Sequence, residues 1–272
     1  MTNADLLSIS IVTYRIDASE FARALNCLRA ALEHLALHHA GHVLITVVDN
    51  SKQSALLRSL LHEAGLGEGT TVHEAGQNLG YGKAHNLAIE AARSRYHLIM
   101  NPDVEMAPDT LLNAVTFMEQ HEDVVALSPH AEDGTGHAAY LCKRYPAVLD
   151  LALRGFAPSV LRRRFSKRLG IYENRSLVAS NQPARVDLIS GCFMFCRTEA
   201  LRQAGGFDPG FFLYFEDFSL SLELGKLGKL MYYPASRIVH YGGHAGKKGL
   251  RHVLHFVASA FRFYNHYGWK LL

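Results

Sequence analysis

Between residues 6 and 100 the hydrophobic period switches repeatedly between two values, and this restricts the fold more than any other feature of the chain. The run LLSISIVTY (6–14) is dense in β-branched residues and predicts a buried strand. The segment DASEFARALNCLRAALEHLALHH then places Phe21, Leu25, Leu28, Leu32 and Leu35 at helical spacing. HVLITVVDNS predicts a second buried strand, ending at Asp49-Asn50-Ser51. A helix over 55–63, a short strand over 70–74, a helix from 82 to about 94 and the strand YHLIM follow. Strands alternating with helices of this length join into a mainly parallel sheet through right-handed crossovers, an α/β architecture. At 272 residues, about half of them apolar, the chain can enclose one large core.

The middle of the chain changes character. Residues 146–176 mix apolar stretches with five basic residues in seven, from Arg162 to Arg168. Such a segment suits either a solvated helix packing its apolar side on the core or an anionic membrane surface. Strand returns at ARVDLISGCFMFCR and helix at TEALRQAG. An aromatic run, FFLYF, leads into a helix opening at Glu216-Asp217. A strand pair over LMYYPASRIVHY precedes a loop rich in glycine and lysine and a helix from about 249 to 267. In that helix Val253, Phe256, Val257, Ala260, Phe261 and Tyr264 recur at helical spacing, a pattern that suits core packing or a homodimer face more than membrane contact.

Net charge is +3, and the basic residues gather mainly in one segment rather than along a face, so no nucleic-acid partner is expected. Cys27, Cys142, Cys192 and Cys196 lack zinc spacing and read as free thiols in a reducing cytosol. The first five residues hold no basic n-region, and no apolar run approaches the roughly 18 residues that span a bilayer. A cytoplasmic protein, soluble or peripheral at the inner face of the membrane, is the expectation.

Polar residues fall where such a sheet holds ligands. Asp49, Asn78, Asp103, Glu216, Asp217 and His240 each follow a predicted strand or open a helix, and these positions converge on one crevice in open α/β sheets. In HLIMNPDVEMAPD, Asp103 fits either a turn-capping carboxylate or a ligand for Mg2+ or Mn2+. His240 fits a further ligand or a satisfied imidazole. NLGYGKAHN sets two glycines before a helix, where a phosphate could rest, but lacks P-loop spacing. Glu216 and Asp217 suit the first turn of a helix through its dipole, and after an aromatic run one of them also suits a desolvated base.

Taken in order, SISIVTY, VVDNS, QNLGYGKAHN, LIMNPDVE, SGCFMFCRTEALRQAGGFDPGFFLYFEDFSLSLEL and IVHYGG resemble the inverting family 2 glycosyltransferases of the GT-A fold. Within that family the chain looks most like the bacterial rhamnosyltransferase branch. The resemblance runs from about residue 8 to residue 267 and implies a single GT-A domain over 1–272. Its nucleotide-sugar half would be 1–128, its acceptor half 129–248 with the basic insert 146–176, and its C-terminal helix 249–272.

The resemblance also implies roles. NPD stands for the family's D-x-D motif, so Asp103 would hold a divalent ion against the donor diphosphate, with Asn101 where the first Asp usually lies. Thr13, Tyr14 and Asp49 would contact the nucleotide. Asn78, Gly80 and Lys83 would lie near base, ribose or diphosphate, and Gly191 and Cys192 near donor sugar and acceptor. Asp217 would be the general base beside Glu216, and His240 would complete the metal site. The implied donor is a dTDP- or UDP-sugar, dTDP-L-rhamnose first, and the acceptor a polysaccharide or lipid-linked glycan. Two features depart from the family: Ser219 stands where another acid is common, and the loop carrying His244, Lys247 and Lys248 is unusually rich in glycine and lysine. Two rival classes would demand other features of the sequence. A sugar-phosphate nucleotidyltransferase would need a basic glycine-rich loop after the first strand, which VTYRIDASEF lacks. A non-catalytic glycan-binding scaffold would not need Asp103, Asp217 and His240 together.

Overall fold

The computed structural model describes residues 5–241 and 249–272. The loop residues His244, Lys247 and Lys248 lie outside the described residues. In chain order the elements are β1 (Leu7–Thr13), α1 (Ala18–Ala36), β2 (Val43–Asp49), α2 (Ser54–Glu63), β3 (Thr70–Glu74), α3 (Tyr81–Ala91), β4 (Tyr96–Met100), β5 (Val104–Met106), α4 (Thr110–Gln120) and β6 (Val124–Glu132). They continue as β7 (Cys142–Lys143), α5 (Val148–Phe156), α6 (Ser159–Arg164), α7 (Ser166–Tyr172), α8 (Arg175–Ser180), β8 (Ala184–Arg185), β9 (Leu188–Ile189) and β10 (Phe193–Arg197). The last are α9 (Thr198–Gln203), α10 (Glu216–Leu227), β11 (Lys229–His240) and α11 (Leu250–Tyr267).

Nine strands form one sheet in the order β3-β2-β1-β4-β10-β6-β11-β5, with β8 also on β11. The half β3-β2-β1-β4 is parallel throughout, as the alternating period predicts. β10 then enters antiparallel between β4 and β6, which makes the second half mixed. β1 is buried at all seven positions, which explains its continuous apolar run. Helix α1 starts on Asp17, whose Oδ1 accepts from the amides of Ser19 and Glu20, and buries Phe21, Leu25, Leu28 and Leu35 against the sheet.

Three expectations are revised. LMYYPASRIVHY is not a strand pair but part of one strand, β11, whose pairing with β6 jumps between Tyr233 and Arg237. Pro234 has no N–H for a ladder, so the irregularity falls at Pro234-Ala235-Ser236. ARVDLISGCFMFCR breaks into β8, β9 and β10, leaving Gly191 and Cys192 between strands. The basic insert folds as four short helices, α5 to α8. Ion pairs join α5, α7 and α8: Arg168 Nε donates to Asp150 Oδ1 (2.6 Å), and Glu173 pairs with both Arg154 and Arg175. The insert and α11 meet the aromatic run before α10 in one apolar cluster of Leu151, Tyr172, Phe211, Phe215, Phe263 and Tyr264.

Candidate active site

The antiparallel entry of β10 brings residues far apart in sequence to one point. Its leading residues, Gly191 and Cys192, leave β9 beside the end of β4, and the Asn101 amide donates to the Cys192 carbonyl (2.9 Å). β5 and β11 pair so that His240 lies opposite Val104. His240 Nε2 thereby comes 3.5 Å from Asp103 Oδ1 and 3.4 Å from Asn101 Nδ2. Burial opposes the imidazolium, but contact with the Cys192 sulfur and with the Asp103 carboxylate outweighs it and raises the pKa of His240.

Those donors fit a divalent ion that draws its remaining ligands from a diphosphate. One carboxylate and one imidazole suit such an ion, which takes few protein groups and keeps the rest for substrate oxygens and water. No group of three or more His, Cys, Asp or Glu that could hold a metal alone occurs among the described residues.

Gly191 joins this cluster to the acidic pair. Its N–H donates to Asp217 Oδ2 (3.0 Å), and its carbonyl accepts from the Tyr81 hydroxyl (2.6 Å). A Cβ at Gly191 would lie 3.1 Å from the Tyr81 ring and 3.2 Å from Asp217 Cβ, so a side chain there would push the base away. Asp217 Oδ1 accepts from the Phe218 amide (2.9 Å) in the first turn of α10. Tyr214 and Phe215, just before it, hold φ of +71° and +63°, a left-handed conformation costing about 1–3 kcal/mol at each bulky residue. Phe215 is nonetheless held there by aromatic packing on Phe218 and on Phe256 and Phe263 of α11. This strain aims the first turn of α10 at Gly191.

Electrostatics divides the two acids. Burial lifts both carboxyls, and the neighbouring Asp217 lifts Glu216 further, well above the usual range. Glu216 Oε2 has no hydrogen-bond partner. Asp217 instead has two backbone donors and the charge of Lys143, all of which pull it down. The first negative charge therefore settles on Asp217, and Glu216 keeps its proton. Lys143 is itself buried, which lowers its ammonium to about 8; its Nζ donates to the Tyr140 carbonyl.

The remaining predicted residues lie along the carboxyl ends of β1 and β2 and the start of α3. Thr13 is fully buried, and its hydroxyl donates to the Val48 carbonyl (3.3 Å), while Tyr14 is exposed. Asp49 is also buried, and its carboxylate accepts from the amides of Ser51 and Gln53 and the hydroxyl of Ser54, holding the turn into α2. It lines a shallow cleft with Lys52, Ser54, Glu74 and Gly76. Asn78 Oδ1 accepts from the Gly80 amide (2.9 Å), and Lys83 is exposed. Gly80 has φ +85°, and a Cβ there would meet the Phe212 carbonyl oxygen at 2.4 Å, so only glycine fits.

Asn101, Asp103, Gly191, Cys192, Glu216, Asp217 and His240 form one contiguous group. Three contributors escaped the sequence reading. Asn50 clamps the Leu79-Gly80 turn through both side-chain ends, Tyr81 braces Gly191, and Lys143 acts on Asp217. Tyr81 lies in a motif quoted above, but a two-residue strand such as β7 gives Lys143 no periodic signal.

The model of glycosyl transferase family 2 matches residues 8–202. The rhamnosyltransferase WbbL of Escherichia coli is 28% identical over 233 residues, covering 82% of this chain and 79% of its own. The N-acetylglucosaminyl-diphospho-decaprenol L-rhamnosyltransferase of Mycobacterium tuberculosis is 30% identical, covering 71% of this chain and 67% of its own. A GalNAc-T7 structure with UDP, GalNAc and Mn2+ superposes at a TM-score of 0.60 and 17% identity, over 88% of this chain. The Pyrobaculum calidifontis mannosyltransferase PcManGT with GDP-Man and Mn2+ gives 0.58 and 19%, over 96% of this chain. The chain spans 44% and 65% of those two structures. Their shared architecture is the expected GT-A fold, and the chain belongs to the family 2 glycosyltransferases.

Proposed function

We propose that this glycosyltransferase inverts configuration as it moves L-rhamnose from dTDP-L-rhamnose to a glycan or lipid-linked acceptor in surface polysaccharide synthesis. The observation that carries the reading is the adjacency of Gly191, bonded to Asp217, and Cys192, which lies against His240 and Asn101. Consecutive residues lie about 3.8 Å apart, so the candidate base and the polar cluster of Asn101, Asp103 and His240 adjoin one another. The rhamnose donor is supported by the two rhamnosyltransferase relatives.

In this mechanism Asp217 accepts the proton of an acceptor hydroxyl. The freed oxygen bonds to the anomeric carbon from the face opposite the diphosphate. The carbon–oxygen bond to the diphosphate breaks, and the nucleoside diphosphate leaves with that electron pair. Gly191 N–H and Lys143 keep Asp217 ionised and oriented, while protonated Glu216 lines the acceptor side. Asp103 and His240 would hold Mg2+ or Mn2+, which supplies positive charge against the departing diphosphate. Thr13, Tyr14, Asp49, Asn78, Gly80 and Lys83 form the donor wall, within the nucleotide half 1–128.

Turnover of dTDP-rhamnose, UDP-glucose, UDP-galactose and UDP-N-acetylglucosamine with and without Mn2+ tests the proposal. Metal-stimulated consumption of dTDP-rhamnose is expected. Consumption of a UDP-hexose instead would overturn the donor, and no metal-stimulated turnover of any of these would overturn the metal-dependent reading.

A further inference from the structure

We propose that the insert helices and α11 form one docking face for an anionic bilayer, placed to bring a membrane-held acceptor to Asp217. The inference deepens the reading above and rests on its lipid-linked acceptor. Helix α6 buries none of its residues, which removes the alternative in which its apolar side packs on the core. Val160 and Leu161 stand in solvent, and Phe156 at the end of α5 is 62% exposed.

Helix α11 continues this surface. Its Phe263 and Tyr264 pack inward, but Leu254, Val257, Ala258 and Phe261 form a second apolar stripe at i, i+3, i+4 and i+7 that faces outward. Leu254 is 61% and Phe261 55% exposed. Phe156 meets Phe256 of α11 edge-on at 6.5 Å, which links the two exposed regions. The C-terminal tail is pinned beside α5 by Val148 N–H to the Lys270 carbonyl (2.8 Å). Half-exposed Trp269 stacks on Tyr264 and lies edge-on to Phe261. A tryptophan flanked by lysine suits the headgroup layer.

Charge selects the occupant. Residues 146–176 carry seven basic side chains against two acidic ones, and residues 250–272 carry three basic and no acidic ones. Asp150 and Glu173 are consumed by Arg168, Arg154 and Arg175. Arg162, Arg163, Arg164 and Lys167 take part in no ion pair among the described residues. A second copy of so basic a face would repel it, whereas anionic headgroups attract it. Helix α11 packs directly on Phe215, the residue before the acidic pair, so a bilayer on its outer stripe lies about one helix diameter, roughly 10 Å, from the start of α10.

The test is flotation of the full chain with vesicles of phosphatidylcholine alone and of phosphatidylcholine mixed with phosphatidylglycerol. Binding to the mixed vesicles only, weakened by salt, is expected. R162Q/R163Q/R164Q should cut partitioning roughly a hundredfold, since each basic residue near the surface contributes about a factor of five. L254S/F261S should cut it at least tenfold by removing two inserting side chains. Circular dichroism and hydrolysis of dTDP-rhamnose should stay unchanged in both, because neither set touches the site. Absence of wild-type binding to the mixed vesicles, or binding indifferent to both variants, overturns the docking face. So does a concentration-dependent dimer that L254S/F261S dissolves in the absence of vesicle binding. Donor hydrolysis that persists without vesicle binding sinks the docking face alone, while vesicle binding without donor turnover by the wild type sinks the transferase reading alone.

Discussion

At the scale of single residues, burial raises the pKa of Asp217, while the Gly191 and Phe218 amides and the charge of Lys143 pull it back. Lys143 lowers its pKa by attraction, whereas protonated Glu216 adds no charge at neutral pH. Lys143→Met should therefore move the acid limb of the pH profile of kcat/KM upward by about one unit, in line with removal of one nearby opposite charge. Lys143→Arg should keep the limb, and Glu216→Gln should leave it in place while abolishing any alkaline change that Glu216 ionisation produces. An unmoved limb in Lys143→Met would show that Lys143 does not act on the base. Asp103, Asp217 and His240 were legible in the sequence because each ends a strand or opens a helix, where an open sheet gathers ligands. Lys143 was not, since its burial depends on the pairing of a two-residue strand with β9.

At the scale of elements, β1, β4 and α3 are joined by buried histidines. Ser10 Oγ lies 2.7 Å from His85 Nδ1 and 2.9 Å from His97 Nε2, and His97 Nδ1 lies 2.6 Å from Ser8 Oγ. Burial lowers His97 to about 3 and holds His85 well below its ordinary value. Both are neutral in the fold and gain protons more readily when unfolded, so their contribution is complete above pH 6.5 and is lost as pH falls. Urea unfolding should show stability dropping by about 1.4 kcal/mol per pH unit for each histidine between pH 6 and 4. His97→Gln should flatten that slope by about half, and an unchanged slope would contradict the assignment. The strands and long helices of the first half were legible from their periods. The insert was not, because its apolar and basic residues divide among four short helices, three of them joined by the long-range ion pairs of Asp150 and Glu173, which no sequence period encodes.

At the scale of the molecule, the proposed donor wall would lie along the parallel half of the sheet, and the mixed half carries Gly191 and Cys192 beside the end of β4. The mixed topology explains why residues from 101 to 240 meet, and no local pattern encodes the antiparallel entry of β10. No helix among the described residues is long and apolar enough to cross a membrane. The central claim is that a diphosphate–metal cluster and a separate base share one cleft. Calorimetric titration of dTDP with and without Mn2+, paired with rhamnose transfer, tests it in wild type, Asp103→Ala and Asp217→Asn. The prediction is that Mn2+ tightens dTDP binding in wild type and in Asp217→Asn, which loses transfer by about 10²–10⁴-fold, but not in Asp103→Ala. Mn2+-tightened binding by Asp103→Ala, or full transfer by Asp217→Asn, would contradict it.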